Sequence, residues 1–142
     1  MHSIAIQVQD ARWKTLLKPY TKTVREACVA AGVKKQDVTV VLADDAFVRD
    51  LNKTYRGQDK PTNVLSFSGD DDYLGDIVLA YETVVREAEE QDKKPKHHAM
   101  HLMVHGVLHL FGHDHMKRKE AEIMETKEIK ILKKLGVANP YL

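Results

Sequence analysis

Cysteine is nearly absent from this sequence. Cys28 is the single cysteine among 142 residues, so a disulfide framework is excluded. Cys28 lies on what reads as the apolar side of a helix and has no histidine near it in sequence, which favours a reduced core thiol over a nucleophile. This cysteine usage is typical of a reducing compartment, and we expect a cytoplasmic protein.

Long apolar runs and a secretory leader are missing too. No unbroken apolar run is longer than the five residues of 77–81, whereas a membrane-spanning helix needs about 20 apolar residues. The first residues, Met-His-Ser-Ile-Ala-Ile-Gln, contain no charged segment followed by an apolar one, as an export signal would. We therefore expect a soluble protein without a membrane partner.

Charge of one sign is not in large excess either. The net charge is +1 and the isoelectric point is about 7.9. A domain held on nucleic acid mainly by its overall charge is expected to have an isoelectric point above roughly 9. Basic residues do cluster locally, although such clusters are more often solvated faces than phosphate sites. The clusters are Lys14, Lys18, Lys22 and Arg25, then Lys93, Lys94 and Lys96, then Lys117, Arg118 and Lys119.

The chain length and the apolar periodicity predict one domain over residues 1–142. Alternating or β-branched runs predict strands at residues 3–8, 38–43, 64–68 and 73–80, the last two joined by a turn that begins at Gly69. Helical patterns fill the other intervals, with a kink or restart at Pro19 and a helix start at Pro95. The order β-α-β-α-β-β-α-α-α predicts an α/β (α+β) fold, a small mixed sheet of about four strands covered by helices, with its first two strands parallel.

Histidine, by contrast, is abundant: the chain has eight, most of them between His97 and His115. His105 and His109 are four residues apart, so on a helix they lie one turn apart on one face and can bind one metal ion together. Gly112 can end this helix in the left-handed conformation and so bring His115 back towards the pair. Three imidazoles with an open coordination position predict a catalytic metal site at this helix and turn.

The spacing of these three histidines is also that of the metzincin metalloproteases, H-x-x-x-H-x-x-G-x-x-H. Gly106 stands where those enzymes have the glutamate that takes a proton from zinc-bound water, so their standard mechanism is not expected. His101, one turn before the first ligand, can support the site or be an ordinary packed residue. Asp114 can orient a ligand imidazole or cap the next helix, and the cap is favoured. His97 and His98, next to lysines, are expected to be exposed.

Residues 105–115, His-Gly-Val-Leu-His-Leu-Phe-Gly-His-Asp-His, resemble the signature H-G-x-L-H-L-x-G-Y-D-H of the YbeY family, the metal-dependent endoribonucleases of bacterial ribosomal RNA maturation. His113 replaces the usual tyrosine of that signature and could act as an extra ligand or a proton donor. The resemblance covers essentially the whole chain. Three further stretches resemble the family's other motifs in the expected order: Leu51-Asn-Lys-Thr-Tyr-Arg-Gly57, Pro61-Thr-Asn-Val-Leu-Ser-Phe67 and Leu74-Gly-Asp-Ile77.

The resemblance implies one zinc ion per chain, held by His105, His109 and His115. It implies Arg56 and His109 as the catalytic residues, since Arg56 matches the arginine of the family's cleft. A guanidinium there can fork onto phosphate oxygens and stabilise the charge of a phosphodiester transition state. From the residues alone, Arg56 would be a solvated residue at a helix C-terminus, and the three imidazoles would also suit nickel, copper or cobalt.

The resemblance also implies partners. They are RNA, in particular ribosomal RNA, and the small ribosomal subunit or its proteins, with neither DNA nor a membrane involved. Asn63, Ser66 and Asp76 match further family positions, although polar residues at strand ends often do no more than satisfy the backbone.

The prediction is therefore a zinc-dependent endoribonuclease that acts on single strands in ribosomal RNA maturation and ribosome biogenesis or quality control. The metal would polarise a phosphoryl oxygen or supply a bound hydroxide, while Arg56 neutralises the transition state. Two other interpretations stay open. One is a metalloprotease-like hydrolase with another base, against which Gly106 argues. The other is a ribosome- or RNA-binding module in which a fourth protein ligand closes the coordination sphere of a structural metal.

Overall fold

The order of helices and strands in the chain follows the predicted one. A computed structural model describes residues 3–70, 72–113 and 117–142. Its strands are β1 (Ile4–Val8), β2 (Asp37–Ala43), β3 (Val64–Ser68) and β4 (Tyr73–Ala80). Its helices are α1 (Arg12–Leu16), α2 (Tyr20–Ala30), α3 (Asp45–Arg56), α4 (Tyr81–Glu90), α5 (Pro95–Leu110) and α6 (Arg118–Lys134). The first predicted helix is divided at Pro19, so the restart alternative is the one observed.

The four strands form one mixed sheet in the order β1-β2-β4-β3. β1 and β2 are parallel, as predicted, and β4 is parallel to β2. β3 returns antiparallel to β4, with Ser66 opposite Ile77, which confirms the predicted pairing of these two strands. The α/β (α+β) fold class with a small mixed sheet is confirmed. β3 comes last in the sheet order, so it is an edge strand, and this edge positions the site described below.

Helices cover both faces of the sheet because the strands alternate between two apolar layers. The larger layer packs α1, α2, α4, α5 and α6 against one face, on which the strands present Val38, Val40, Leu42, Ile77 and Leu79. The smaller layer packs α3 against the other face through Val48 and Leu51, and the strands present Val41, Ala43, Leu65, Val78 and Ala80 there. The side chains of neighbouring residues in one strand therefore point to opposite faces of the sheet. This alternation determines which polar side chains can reach the site.

α5 is the central helix of the larger layer. Pro95 stands in its first turn, as predicted, because a proline there gives up no helical hydrogen bond. Gly106 brings this helix close to the sheet: a Cβ atom at that position would lie 3.0 Å from Ile77 Cγ2 and 3.2 Å from Ser66 Oγ. The helix ends at Leu110, and Gly112 has a φ of +95°, which confirms the predicted left-handed glycine after the helix.

α3 is held at both ends by local chemistry. The Asp44 carboxylate accepts a hydrogen bond from the Phe47 backbone N–H at 2.9 Å, so Asp44 is the N-cap. Gly57 ends the helix with a φ of +67°. Arg56 is therefore the last helical residue, and it is carried to the edge of the sheet beside β3.

Cys28 lies in the larger core and is fully buried. Burial raises the pKa of its thiol to about 12, so it is protonated and unreactive at neutral pH. This environment fits the predicted core thiol. None of the helices in the described part of the chain combines the length and hydrophobicity needed to cross a bilayer.

Candidate metal and RNA site

A cleft of about 530 Å³ lies at the β3 edge of the sheet. We call it the edge cleft. The end of α3 forms one side, α5 forms the other, and the loop before β3 closes one end. The described side chains that line it include Asn52, Arg56, Asn63, Ser66, Glu87, His105 and His109. Two predicted ligands and the predicted arginine therefore line the same cavity, although they come from elements about 50 residues apart in sequence.

His105 and His109 have the geometry that the sequence spacing predicts. They lie one turn apart on α5, and their rings are nearly parallel, with an interplanar angle of 8° and centroids 6.3 Å apart. His109 is exposed, whereas the His105 side chain is 26% exposed. Both imidazoles are thus open to a small ligand from the edge cleft.

The third predicted ligand, His115, and its neighbour Asp114 lie outside the described residues. The described residues contain no group of three or more His, Cys, Asp or Glu side chains that could hold a metal ion. The predicted set has two members in this part of the chain, His105 and His109. Gly112, three residues before His115 in sequence, has a left-handed backbone conformation.

Glu128 is a buried carboxylate directly behind the histidines. It lies on α6 with no exposed surface, and its two oxygens contact His101 Nε2 and His105 Nδ1, each at 2.7 Å. The Tyr141 hydroxyl donates a further hydrogen bond to it. Burial alone would raise the pKa of Glu128, but the three hydrogen bonds outweigh burial and lower the pKa to about 2. Glu128 is therefore an anion at any physiological pH.

The contact with Glu128 decides which nitrogen of His105 can bind a metal. A carboxylate on Nδ1 requires that this nitrogen carry the proton, so the lone pair lies on Nε2. Metal-bound histidines commonly have such a carboxylate partner. Neutral imidazole nitrogens are ligands for zinc and for several other transition metals, so the two described imidazoles fit part of a metal site.

Arg56 is held over the edge strand. Its Nη2 donates to the Ser66 carbonyl at 3.1 Å, and its guanidinium carbon lies 5.6 Å from the centroid of the Phe67 ring. Both contacts use β3, so the cation is fixed relative to the strand that lies between α3 and α5. A guanidinium placed in this way contributes positive charge to a cleft that also holds two imidazoles.

Gly106 explains in structural terms why no glutamate follows the first histidine. Its position is buried, and a Cβ atom there would contact Ile77 and Ser66 more closely than most Cβ atoms contact any neighbour. A glutamate at this position would require the side chains of Ile77 and Ser66 to move.

Among the weaker candidates, Asn63 and Ser66 line the edge cleft and Asp76 does not. Asn63 Nδ2 donates to Glu87 Oε1 at 2.9 Å. Asp76 lies on the opposite face of the sheet, where it contacts the Tyr73 hydroxyl, because its neighbour Ile77 faces α5. The match of Asp76 to a family motif therefore does not place it near the histidines.

The structure corrects one expectation about the other histidines and places His113 outside the edge cleft. His98 is 4% exposed and contacts Glu87 at 2.9 Å, so the prediction that it is exposed is wrong; burial lowers its pKa despite that carboxylate. Lys96, two residues before it, donates from Nζ to the Lys18 carbonyl at 2.9 Å. His113 does not line the edge cleft: its Nε2 lies 3.3 Å from Lys127 Nζ, in a separate groove. The structure thus gives no support to a role as an extra ligand.

Sequence reasoning missed Glu128 and Tyr141. A signal for Glu128 exists, because it occupies the middle of a buried stripe on α6 between Met124 and Leu132. A carboxylate in such a stripe needs buried partners, and histidines are the natural ones in this chain. No comparable pattern in the sequence indicates a role for Tyr141, which follows the last helix.

Comparisons with known proteins agree with these observations. The family model described as Endoribonuclease YbeY matches residues 2–136. A relative from Parvibaculum lavamentivorans, named Endoribonuclease YbeY, is 48% identical over 140 residues, which cover 84% of this chain and 76% of the relative. Relatives with the same name from a Bradyrhizobium species and from Neorickettsia sennetsu are 52% and 42% identical; the matches cover 80% and 94% of this chain and 73% and 98% of the relatives.

A solved structure extends the comparison to the fold. The solution structure of a Thermotoga maritima protein superposes with a TM-score of 0.67 at 27% sequence identity, and the match covers 95% of this chain and 89% of that one. The family match spans nearly the whole chain and includes the motif residues that line the edge cleft. This chain belongs to the YbeY endoribonuclease family.

Proposed function

We propose that this protein is a zinc-dependent endoribonuclease that cuts single-stranded RNA and acts in ribosomal RNA maturation. The observation that carries the proposal is the meeting of Arg56, His105 and His109 in one cleft. The arginine is a group for phosphate and the imidazoles are groups for a metal, and phosphodiester cleavage uses both. The family membership and the names of the relatives support the same reaction.

In this proposal His105, His109 and His115 hold one zinc ion per chain. A zinc ion so bound would supply Lewis acidity to a phosphate oxygen or to a water molecule. Of the two described ligands, His109 is the more exposed in the edge cleft. We therefore expect the substrate to reach the metal from the side of His109.

Arg56 binds the phosphate and stabilises its developing charge. A guanidinium has five N–H donors, and the bond to the Ser66 carbonyl uses one of them. That bond and the Phe67 ring restrict the side chain, so the arginine loses little freedom when a phosphate binds. A preorganised donor of this kind typically contributes a factor of about 10²–10³ in kcat.

Glu128 acts as a positioning residue. It fixes the tautomer of His105 through Nδ1 and is itself held by His101 and Tyr141. Because the carboxylate is buried, these three contacts compensate its lost hydration, and the network keeps its negative charge beside the ligand. That charge raises the basicity of His105 towards a cation.

The two other interpretations receive less support. A glutamate in place of Gly106, the base of a metalloprotease, would put its Cβ atom only 3.0 Å from Ile77 Cγ2, which argues against that mechanism. A structural metal would need a fourth protein ligand, and His113, the residue suggested for that role, lines a different groove. The proposal also includes the small ribosomal subunit or its proteins as partners, a cytoplasmic location, and selectivity for RNA over DNA.

Cleavage of a labelled single-stranded RNA, with and without zinc, tests the proposal. We expect cleavage by the zinc-loaded protein and none after chelation, with rates at least about 100-fold lower for His109→Ala and Arg56→Ala. Arg25→Ala and His97→Ala are matched controls, because neither residue lines the edge cleft and Arg25 is exposed on α2. If both site variants cut RNA as fast as the parent, a contaminating nuclease accounts for the activity and the proposal fails.

A further inference from the structure

A second concave surface lies on the other side of the end of α5. It is a groove of about 470 Å³ between the loop after α2, the end of α5 and the exposed side of α6. We call it the lysine groove, after Lys34, Lys127, Lys130 and Lys134, which line it. None of the described side chains that line it is acidic.

Three of these lysines form one row. Lys127, Lys130 and Lys134 are spaced by three and four residues, so they project from the same side of α6, and all three are exposed. Like charges at this spacing destabilise a helix slightly, so the row is not explained by helix stability. Lys127 Nζ lies 3.3 Å from His113 Nε2, which holds one ammonium group at the mouth of the groove.

An aromatic ring lies beside this row. Phe111, the residue directly after α5, lines the lysine groove and is 37% exposed. One edge of its ring packs near Gly32, where a Cβ atom would lie 3.5 Å from Phe111 Cε2. A ring supported on one side and open on the other can stack on a nucleobase, and lysines beside it can bind the flanking phosphates.

The lysine groove and the edge cleft share the end of α5. His109 lines the cleft, while Leu108 and Phe111 line the groove, so the last turn of the helix separates the two. An RNA chain bound beside His109 would therefore have to pass only this turn to reach the groove. An acidic protein segment would also match the lysines, but it would not use the ring in the same way.

We infer that the lysine groove binds the part of a single-stranded RNA that extends beyond the cleaved phosphodiester. The inference rests on the proposed function for the identity of the ligand. It assigns phosphate binding to Lys127, Lys130 and Lys134 and base stacking to Phe111. The groove makes no contact with the reacting phosphate, so it serves affinity for long RNA and leaves the chemical step unchanged.

The test is binding of a fluorescein-labelled single-stranded RNA at stepped salt concentrations, with chelator present so that no cleavage occurs. The triple variant Lys127→Gln, Lys130→Gln, Lys134→Gln should lower the slope of log affinity against log salt by about 2, since each phosphate contact to a single strand contributes about 0.7. At 0.1 M salt this corresponds to about 100-fold weaker binding if both lines meet at 1 M. Phe111→Leu keeps an apolar side chain and should weaken binding about fivefold or more.

The control removes the same charge elsewhere. Lys35→Gln, Lys119→Gln, Lys133→Gln changes three exposed lysines that do not line the groove, so a purely global charge effect would move both triple variants equally. Circular dichroism verifies that each variant is folded.

Equal slopes and equal affinities for the two triple variants would overturn the inference. Polyglutamate serves as a second probe for the same variants. If the triple variant of the lysine groove loses binding to polyglutamate but binds RNA as tightly as the parent, the inference is also overturned and the groove is assigned to an acidic protein partner. Because binding is measured without cleavage, a failure here is distinct from a failure of the proposed function, which concerns cleavage at the edge cleft.

Discussion

Replacement of Glu128 by glutamine tests the organisation of the metal site at its least exposed point. The substitution keeps the shape of the side chain and removes its charge. One oxygen of Glu128 contacts His101 and Tyr141, and the other contacts His105 Nδ1 at 2.7 Å. If the amide oxygen of glutamine serves the first two partners, its NH₂ group faces His105.

That arrangement reverses the tautomer of His105. Nδ1 must then accept a hydrogen bond, so the proton moves to Nε2. The Nε2 lone pair is then no longer available to bind the metal. Loss of such a partner typically costs 10- to 100-fold in metal affinity, which is about 1.4–2.7 kcal/mol. We therefore expect Glu128→Gln to raise the zinc dissociation constant about 10- to 100-fold while the protein stays folded.

Competition with a chromophoric chelator measures the zinc affinity, and the visible spectrum of the cobalt(II)-substituted protein reports the ligand geometry. Glu122→Gln is the matched control, since Glu122 lies on the same helix and its side chain is 67% exposed. If Glu128→Gln binds zinc as tightly as the parent and its cobalt spectrum is unchanged, Glu128 does not orient His105 and the reasoning is wrong.

Three further predictions concern stability. Gly106→Glu should lower the free energy of unfolding by about 1–3 kcal/mol or more, because the new side chain must displace Ile77; unchanged urea unfolding would show that the contact between helix and sheet is loose. Asp44→Ala should cost about 1 kcal/mol, since the Phe47 N–H loses its capping partner, and a change within error in thermal unfolding would contradict this. The folded-state pKa of Glu128, about 2, lies below its ordinary value of 4.5, so its stabilising contribution is complete above pH 4.5 and is lost as the pH falls towards 2. Acid unfolding of the metal-free protein should therefore be less steep for Glu128→Gln across that range, and equal slopes would refute the assignment.

Local patterns predicted most of the fold. The strands at residues 64–68 and 73–80 match β3 and β4, because alternation and a glycine turn are properties of neighbouring residues. The ends of α3 and α5 were predictable for the same reason, since a cap or a left-handed glycine acts within a few residues. The pairing of His105 with His109 needs nothing beyond the helical period.

The parts that could not be predicted depend on how distant elements pack. Glu128 reaches His105 through the packing of α6 on α5, and no pattern within either helix fixes that register. His98 is buried although lysines flank it, because the face of α5 that meets Glu87 is set by tertiary contacts. Strand alternation separates Asp76 from its neighbour, but it does not tell which face of the sheet carries the cleft.

Titration of zinc into the metal-free protein under single-turnover conditions tests the central claim most directly. The cleavage rate of a labelled single-stranded RNA should rise in proportion to bound zinc, reach its maximum at about one equivalent per chain, and stay at background in His109→Ala. Cleavage by the chelated protein, or a rate that does not follow zinc occupancy, would contradict the account, because the imidazoles of the edge cleft would then have no part in the reaction.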